Sequence, residues 1–166
     1  EAPNAYRLHV NECLVAALVP VLDKIFKTDG TELPIEFESH GRDNRLPGGD
    51  VLDVSKTVGW FTARYPLLIQ DAFTGWPSTI SDVKNRLRSL PNNGISYGMC
   101  RYLHQNLNGS QDTDLITNGL MTFNYLGQID GQLARSDLFD ICEYTVPYMR
   151  SEKSQRTHIV DVNMHV

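Results

Sequence analysis

Between residues 33 and 38 the chain reads Leu-Pro-Ile-Glu-Phe-Glu, so Leu33, Ile35 and Phe37 alternate strictly with Pro34, Glu36 and Glu38. Successive side chains of a strand point to opposite faces, and this period therefore predicts a half-buried strand with Glu36 and Glu38 together on its polar side. Such a strand cannot stand alone. Its apolar face must be covered by another layer, while its polar face opens on solvent or on a site.

Elements able to cover it flank it on both sides. Val10, Cys13, Leu14, Ala17, Leu18, Val21, Leu22, Ile25 and Phe26 follow a helical stripe, with a kink expected at Pro20 and a stop at Gly30. Ser78 to Leu90 carries Ile80, Val83, Leu87 and Leu90 at helical spacing before Pro91, and Tyr97 to Leu107 reads as another helix. Further strands are expected at Lys56 to Thr62, Met121 to Leu126 and Leu138 to Val146. At Val160 to Val166 the alternation is still running when the sequence stops. The mixture is α/β or α+β. Strands 33–37, 58–62 and 121–125 are expected to share one sheet with helices packed against it.

The 166 residues amount to about one domain, and 41% hydrophobic with 21% charged residues excludes a disordered chain. Cys13, Cys100 and Cys142 are odd in number and far apart, which fits neither a disulfide framework nor a zinc site, and a reducing, cytoplasmic setting fits best. A net charge of −5 with no dense Lys/Arg run argues against a nucleic-acid partner. The apolar run Cys13 to Leu22 is too short for the roughly 20 residues of a membrane span. One sequon, Asn108-Gly109-Ser110, stands without any other sign of export. The first residue is Glu, and with the open-ended last strand this reads as a piece of a longer polypeptide.

Phosphate loops, dinucleotide fingerprints, nucleophile elbows and zinc-protease motifs are all missing from the sequence. The five histidines lack metal-binding spacing, so no metal is expected. What stands out is a polar cluster at the end of the first strand, Glu38-Ser39-His40-Gly41-Arg42-Asp43. Spacing alone leaves two readings open: a solvated turn closed by an ion pair of Arg42 with Asp43 or Glu38, or a functional loop at a strand end.

Three further segments bear on that choice: Lys56-Thr57-Val58-Gly59-Trp60-Phe61-Thr62-Ala63-Arg64-Tyr65-Pro66, then Pro91-Asn92-Asn93-Gly94-Ile95-Ser96-Tyr97-Gly98, then Phe123-Asn124-Tyr125-Leu126-Gly127-Gln128. In this order, and with the Glu38 cluster ahead of them, they resemble the later core motifs of the epimerisation domains of nonribosomal peptide synthetases. Those motifs read E-G-H-G-R-E, R-T-V-G-W-F-T-x-x-Y-P, P-x-x-G-x-G-Y-G and F-N-Y-L-G-Q. Asn11 to Leu18 resembles the leucine-rich helix that precedes them. Ser39 and Ser96 stand where the family has glycine, Asp43 where it has glutamate and Lys56 where it has arginine. The two serines raise the question whether the backbone there takes the positive φ that glycine tolerates.

The family's His-His-x-x-x-Asp-Gly motif, which supplies its other catalytic group, has no counterpart here. The resemblance therefore implies that residues 1–166 are the C-terminal lobe alone of a two-lobed fold like that of chloramphenicol acetyltransferase, with the active site on the tunnel between lobes. It implies inversion of the α-carbon of an aminoacyl or peptidyl thioester by proton transfer on two faces, with the enolate oxygen stabilised between the steps. Glu38 is the implied acid/base. Arg42 and His40 are candidates beside it, and Asn124 and Tyr125 carry over from the matching family motif. On a strand Asn124 and Tyr125 point to opposite faces, so both reach the tunnel only if the strand bulges or ends between them. No directly bound cofactor is implied, since the substrate arrives on the 4'-phosphopantetheine of a peptidyl carrier protein. That carrier and the missing N-terminal lobe are the implied partners. Two alternatives stay open, the corresponding lobe of a peptide-bond-forming condensation domain and a silent domain that only docks carriers. Trp60, Phe61 and Tyr65 are expected to be packing residues and Cys13 a small core residue. The lobe alone is expected to be inactive.

Overall fold

The computed structural model describes residues 2–26, 32–42, 52–70, 75–104, 120–127 and 151–165, together with residues 73 and 144. In chain order the elements are helices α1 (Ala2–Tyr6) and α2 (Val10–Phe26), strands β1 (Glu32–Ser39) and β2 (Ala63–Gln70), and helix α3 (Trp76–Arg88). A 3-10 turn (Pro91–Gly94), helix α4 (Ile95–Met99), a π turn (Cys100–His104) and strands β3 (Met121–Tyr125) and β4 (Val160–Met164) follow among the described residues. The expected strand 138–146, the sequon, Cys142 and Asp43 lie outside the described residues.

The four strands form one mixed sheet in the order β2-β1-β3-β4. β2 runs antiparallel to β1, whereas β3 is parallel to β1 and β4 parallel to β3. Leu33, Ile35 and Phe37 are buried, as their alternation predicts, and they meet Tyr65, Leu67 and Ile69 of β2 and Met121 and Phe123 of β3. Val15, Ala16, Val19 and Leu22 of α2 and Val83 of α3 complete this core. Each such side chain, fully buried, contributes about 1.5–3 kcal/mol of transfer free energy. The Phe37 ring stacks at 6.0 Å on Tyr65 and lies 5.5 Å from Phe123, which ties three strands together at the end where β1 and β3 both finish.

Several expectations need correction. The strand after β1 is Ala63–Gln70 and not Lys56 to Thr62; Val58 and Trp60 are fully or nearly fully exposed instead of half-buried. The signal for the true strand, Tyr65, Leu67 and Ile69, is interrupted by Pro66, which β2 tolerates as the edge strand of the sheet formed by the described residues. The buried stripe of α2 is also rotated from the expected one: Val10, Val21 and Ile25 are exposed, while Val15, Ala16, Val19 and Leu22 face the sheet. A helix apolar on nearly all sides gives periodicity no face to choose. It also runs unbroken through Pro20. β4 ends at Met164, before the sequence does.

Candidate active site

Because β1 and β3 are parallel and in register at Phe37↔Phe123, their C-terminal ends lie side by side. That register brings Glu38 and Asn124 together on the sheet face opposite α2 and α3: the Asn124 side-chain amide donates to Glu38 Oε2 at 2.9 Å. Eighty-six positions separate the two residues in the chain. Both line a cleft of about 940 Å³, with Tyr125, His40, Arg42 and Trp60 among its other walls. Asn124 and Tyr125 share it because β3 ends at Tyr125 and the cleft wraps around the strand end.

The loop after β1 explains the polar cluster. Gly41 has φ +60°, and a Cβ there would sit 1.7 Å from the Phe61 carbonyl oxygen, so the position requires glycine. His40 Nδ1 accepts the Arg42 backbone N–H at 2.9 Å, which closes a tight turn and leaves the ring exposed at the cleft. Arg42 makes no ion pair with Glu38 among the described residues. Its guanidinium donates to the carbonyls of Val54 (2.8 Å), Thr57 (2.9 Å) and Gly59 (3.1 Å) and lies 4.4 Å from the centre of the Phe61 ring. The turn closed by an Arg42–Glu38 pair is therefore not what forms. Arg42 instead folds the loop that carries Trp60 into the cleft wall.

Ser39 lies in extended β1 and donates to the Asn93 carbonyl at 3.3 Å, and Ser96 lies within α4. Neither needs a positive φ. In these two segments the left-handed backbone falls on Gly41, Asn92, Asn93 and Gly94, and a Cβ at Gly94 would strike the Tyr65 ring at 2.0 Å. Burial pushes the Tyr65 phenol above its ordinary range. Of the three aromatics expected to pack, Tyr65 is buried and Phe61 is covered by Arg42, but Trp60 is 90% exposed and belongs to the cleft. Cys13 is half-buried on α2, with its thiol pushed up by burial and by the neighbouring Glu12 charge.

Sequence reasoning passed over Arg64, Glu36 and His158. Arg64 sits opposite Glu38 in the β1–β2 register, with Nε 3.4 Å from Glu38 Oε1, and its guanidinium also pairs with Glu36. The buried His158 lies with Nε2 3.7 Å from Glu36 Oε2. Thr122 and Asp161 extend the polar face through a 2.9 Å hydrogen bond. The one signal available was that Glu36 shares a face with Glu38. No group of residues able to hold a metal ion, and no helix long and apolar enough to cross a membrane, occurs among the described residues.

The sequence pattern of the Condensation domain family matches residues 1–166. The chain belongs to that family. Among its relatives, a linear gramicidin synthase of Brevibacillus parabrevis is 35% identical over 161 residues, covering 96% of this chain and 2% of that protein. Bacitracin synthase 2 of Bacillus licheniformis is 34% identical over 166 residues, covering 98% and 6%. The crystal structure of the epimerization domain from the third module of tyrocidine synthetase B superposes with a TM-score of 0.74 at 26% identity, covering 99% of this chain and 35% of that one. The chain thus spans only a small share of the curated relatives it matches and about a third of that domain. The family and the mixed α+β fold expected from the motifs are both borne out.

Proposed function

We propose that this chain is the C-terminal lobe of an epimerisation domain of a nonribosomal peptide synthetase, inverting the α-carbon of an aminoacyl or peptidyl thioester. The observation that carries the reading is the Glu38 carboxylate, held by Asn124 at 2.9 Å in a cleft walled by the loop and strand ends that bear the matching motifs. The likeness to the tyrocidine synthetase epimerization domain supports it.

In this reading the substrate enters on the phosphopantetheine of a peptidyl carrier protein, and the N-terminal lobe closes the cleft from the other side. Glu38 takes the α-proton as its carboxylate becomes the acid, and the electron pair of the C–H bond moves into the thioester carbonyl to give an enolate. A group on the N-terminal lobe returns a proton to the opposite face, and in the reverse direction the two exchange roles. Asn124 orients Glu38 through one amide hydrogen and offers the other to the enolate oxygen, as a thioester-side polar group. Tyr125 and Trp60 line the path, and Arg42 and His40 shape the loop around the carboxylate.

The test is Glu38→Gln in the full-length synthetase. Chiral analysis of the released product should show inversion lost, and solvent deuterium should cease to enter the α-carbon through the Glu38 face. Retention of both would refute the assignment. If peptide-bond formation falls instead while no inversion occurs even in the wild type, the chain is the lobe of a condensation domain. If neither reaction occurs while loaded carrier still binds, it is a silent docking domain.

A further inference from the structure

We infer that Arg64 is a positioning residue for Glu38: a single guanidinium on the edge strand anchors one carboxylate oxygen while Asn124 anchors the other. The inference rests on the reading of Glu38 as the proton-transfer group. β1 places Glu36 and Glu38 two residues apart on one face, roughly 7 Å from each other, where two carboxylates repel and would turn away from one another. Arg64 stands directly opposite Glu38 in the antiparallel register and meets both, with Nε 3.4 Å from Glu38 Oε1 and the guanidinium paired to Glu36 as well. Glu38 Oε2 takes the Asn124 amide from the other side at 2.9 Å. The carboxylate is therefore held across the sheet from β2 and from β3, which fixes its plane at the cleft.

Geometry separates this role from a structural one. The Arg64 side chain is 50% exposed against 12% for Glu36 and 24% for Glu38, and ion pairs that open to solvent add little to folding stability. A planar fork can serve two carboxylates at once, which the point charge of a lysine cannot do equally well. The guanidinium also borders a second cleft, about 510 Å³, lined by Glu36, Phe61 and Tyr97, where a free guanidinium ion can take its place.

The experiment uses the full-length synthetase with its loaded carrier, comparing wild type, Arg64→Ala, Arg64→Lys and Glu38→Gln. Arg64→Ala should lower kcat for inversion on the order of tenfold or more and leave KM for the loaded carrier within about twofold, with any fall in the thermal midpoint reversed by the same guanidinium that restores kcat. Millimolar guanidinium chloride should restore much of kcat where sodium chloride does not, and Arg64→Lys should fall between. A wild-type kcat in Arg64→Ala overturns the inference, as does a loss that guanidinium fails to restore and that comes with a lowered midpoint. Should Glu38→Gln abolish inversion while both Arg64 variants keep it, Arg64 is discarded and Glu38 stands. Should Glu38→Gln keep inversion, the reading of Glu38 fails and the inference falls with it.

Discussion

Replacing Glu12 by alanine removes a carboxylate that is only 3% exposed yet holds three contacts. Its Oε2 accepts the backbone N–H of His9 at 2.7 Å, the third helical position reaching back to the residue before α2, as in a capping box. Both oxygens also take the Arg88 guanidinium, at 2.6 and 2.9 Å, and Arg88 in turn donates to the Arg7 carbonyl, so α3 is tied to the turn that starts α2. Losing the cap costs Glu12→Ala about 1 kcal/mol. Losing the buried charged acceptor adds about as much again, because the guanidinium is half-exposed and rehydrates once released. The total, about 2 kcal/mol, corresponds to a thermal midpoint lowered by roughly 4–8 °C at neutral pH for a chain of this size. Burial alone raises the Glu12 carboxyl, but the Arg88 hydrogen bond, the His9 N–H and the Arg88 charge outweigh it and hold the group below its ordinary 4.5. A carboxyl lowered by folding contributes its stability in full above 4.5 and loses it as pH falls through the lower folded value. Melting curves by circular dichroism should therefore show the gap between wild type and Glu12→Ala closing on the acid side of 4.5. Glu12→Gln, which keeps an acceptor for the His9 N–H, should lose only part of the difference. A gap that stays constant or widens in acid, or a glutamine variant as unstable as alanine, would refute the reasoning.

Two further outcomes are expected. Gly41→Ala must accommodate both a left-handed backbone and a Cβ 1.7 Å from the Phe61 carbonyl oxygen, so the strain of roughly 1–2 kcal/mol for the conformation alone is a lower bound, and urea denaturation should show a loss at least that large. Arg42→Lys keeps the charge but cannot reach three carbonyls at once, and hydrogen exchange should speed up in residues 54–61 while the protection of β1 and β3 is unchanged.

β1 was fully legible because its alternation is strict and one face is buried outright. β3 was legible from its own pattern, whereas the contact of Asn124 with Glu38 depends on the parallel register, which no local pattern shows. β2 was misplaced because Val58 and Trp60 alternate as a strand does but face solvent, whereas Pro66 breaks the pattern of the segment that pairs. Arg64 could not be singled out for the same reason: its value lies in standing opposite Glu38, and that register depends on where β2 begins. The role of Arg42 was hidden because backbone carbonyls, its true partners, leave no mark on a sequence.

The mixed connectivity has a consequence for how the chain acquires its structure. β1 and β2 form a local antiparallel pair, but the β1–β3 pairing closes a loop that joins residue 35 to residue 121. Long-range parallel pairing is slow because its loop entropy is lost before any contact is gained. The Arg64 side of Glu38 can therefore form early, whereas the Asn124 side waits for the last part of the sheet to dock. During synthesis the carboxylates of β1 stay open to water until β3 leaves the ribosome, and the apolar edge of β1 stays open with them. An unpaired strand edge in that interval is a template on which another chain can pair, which closing of the β1–β3 ladder removes.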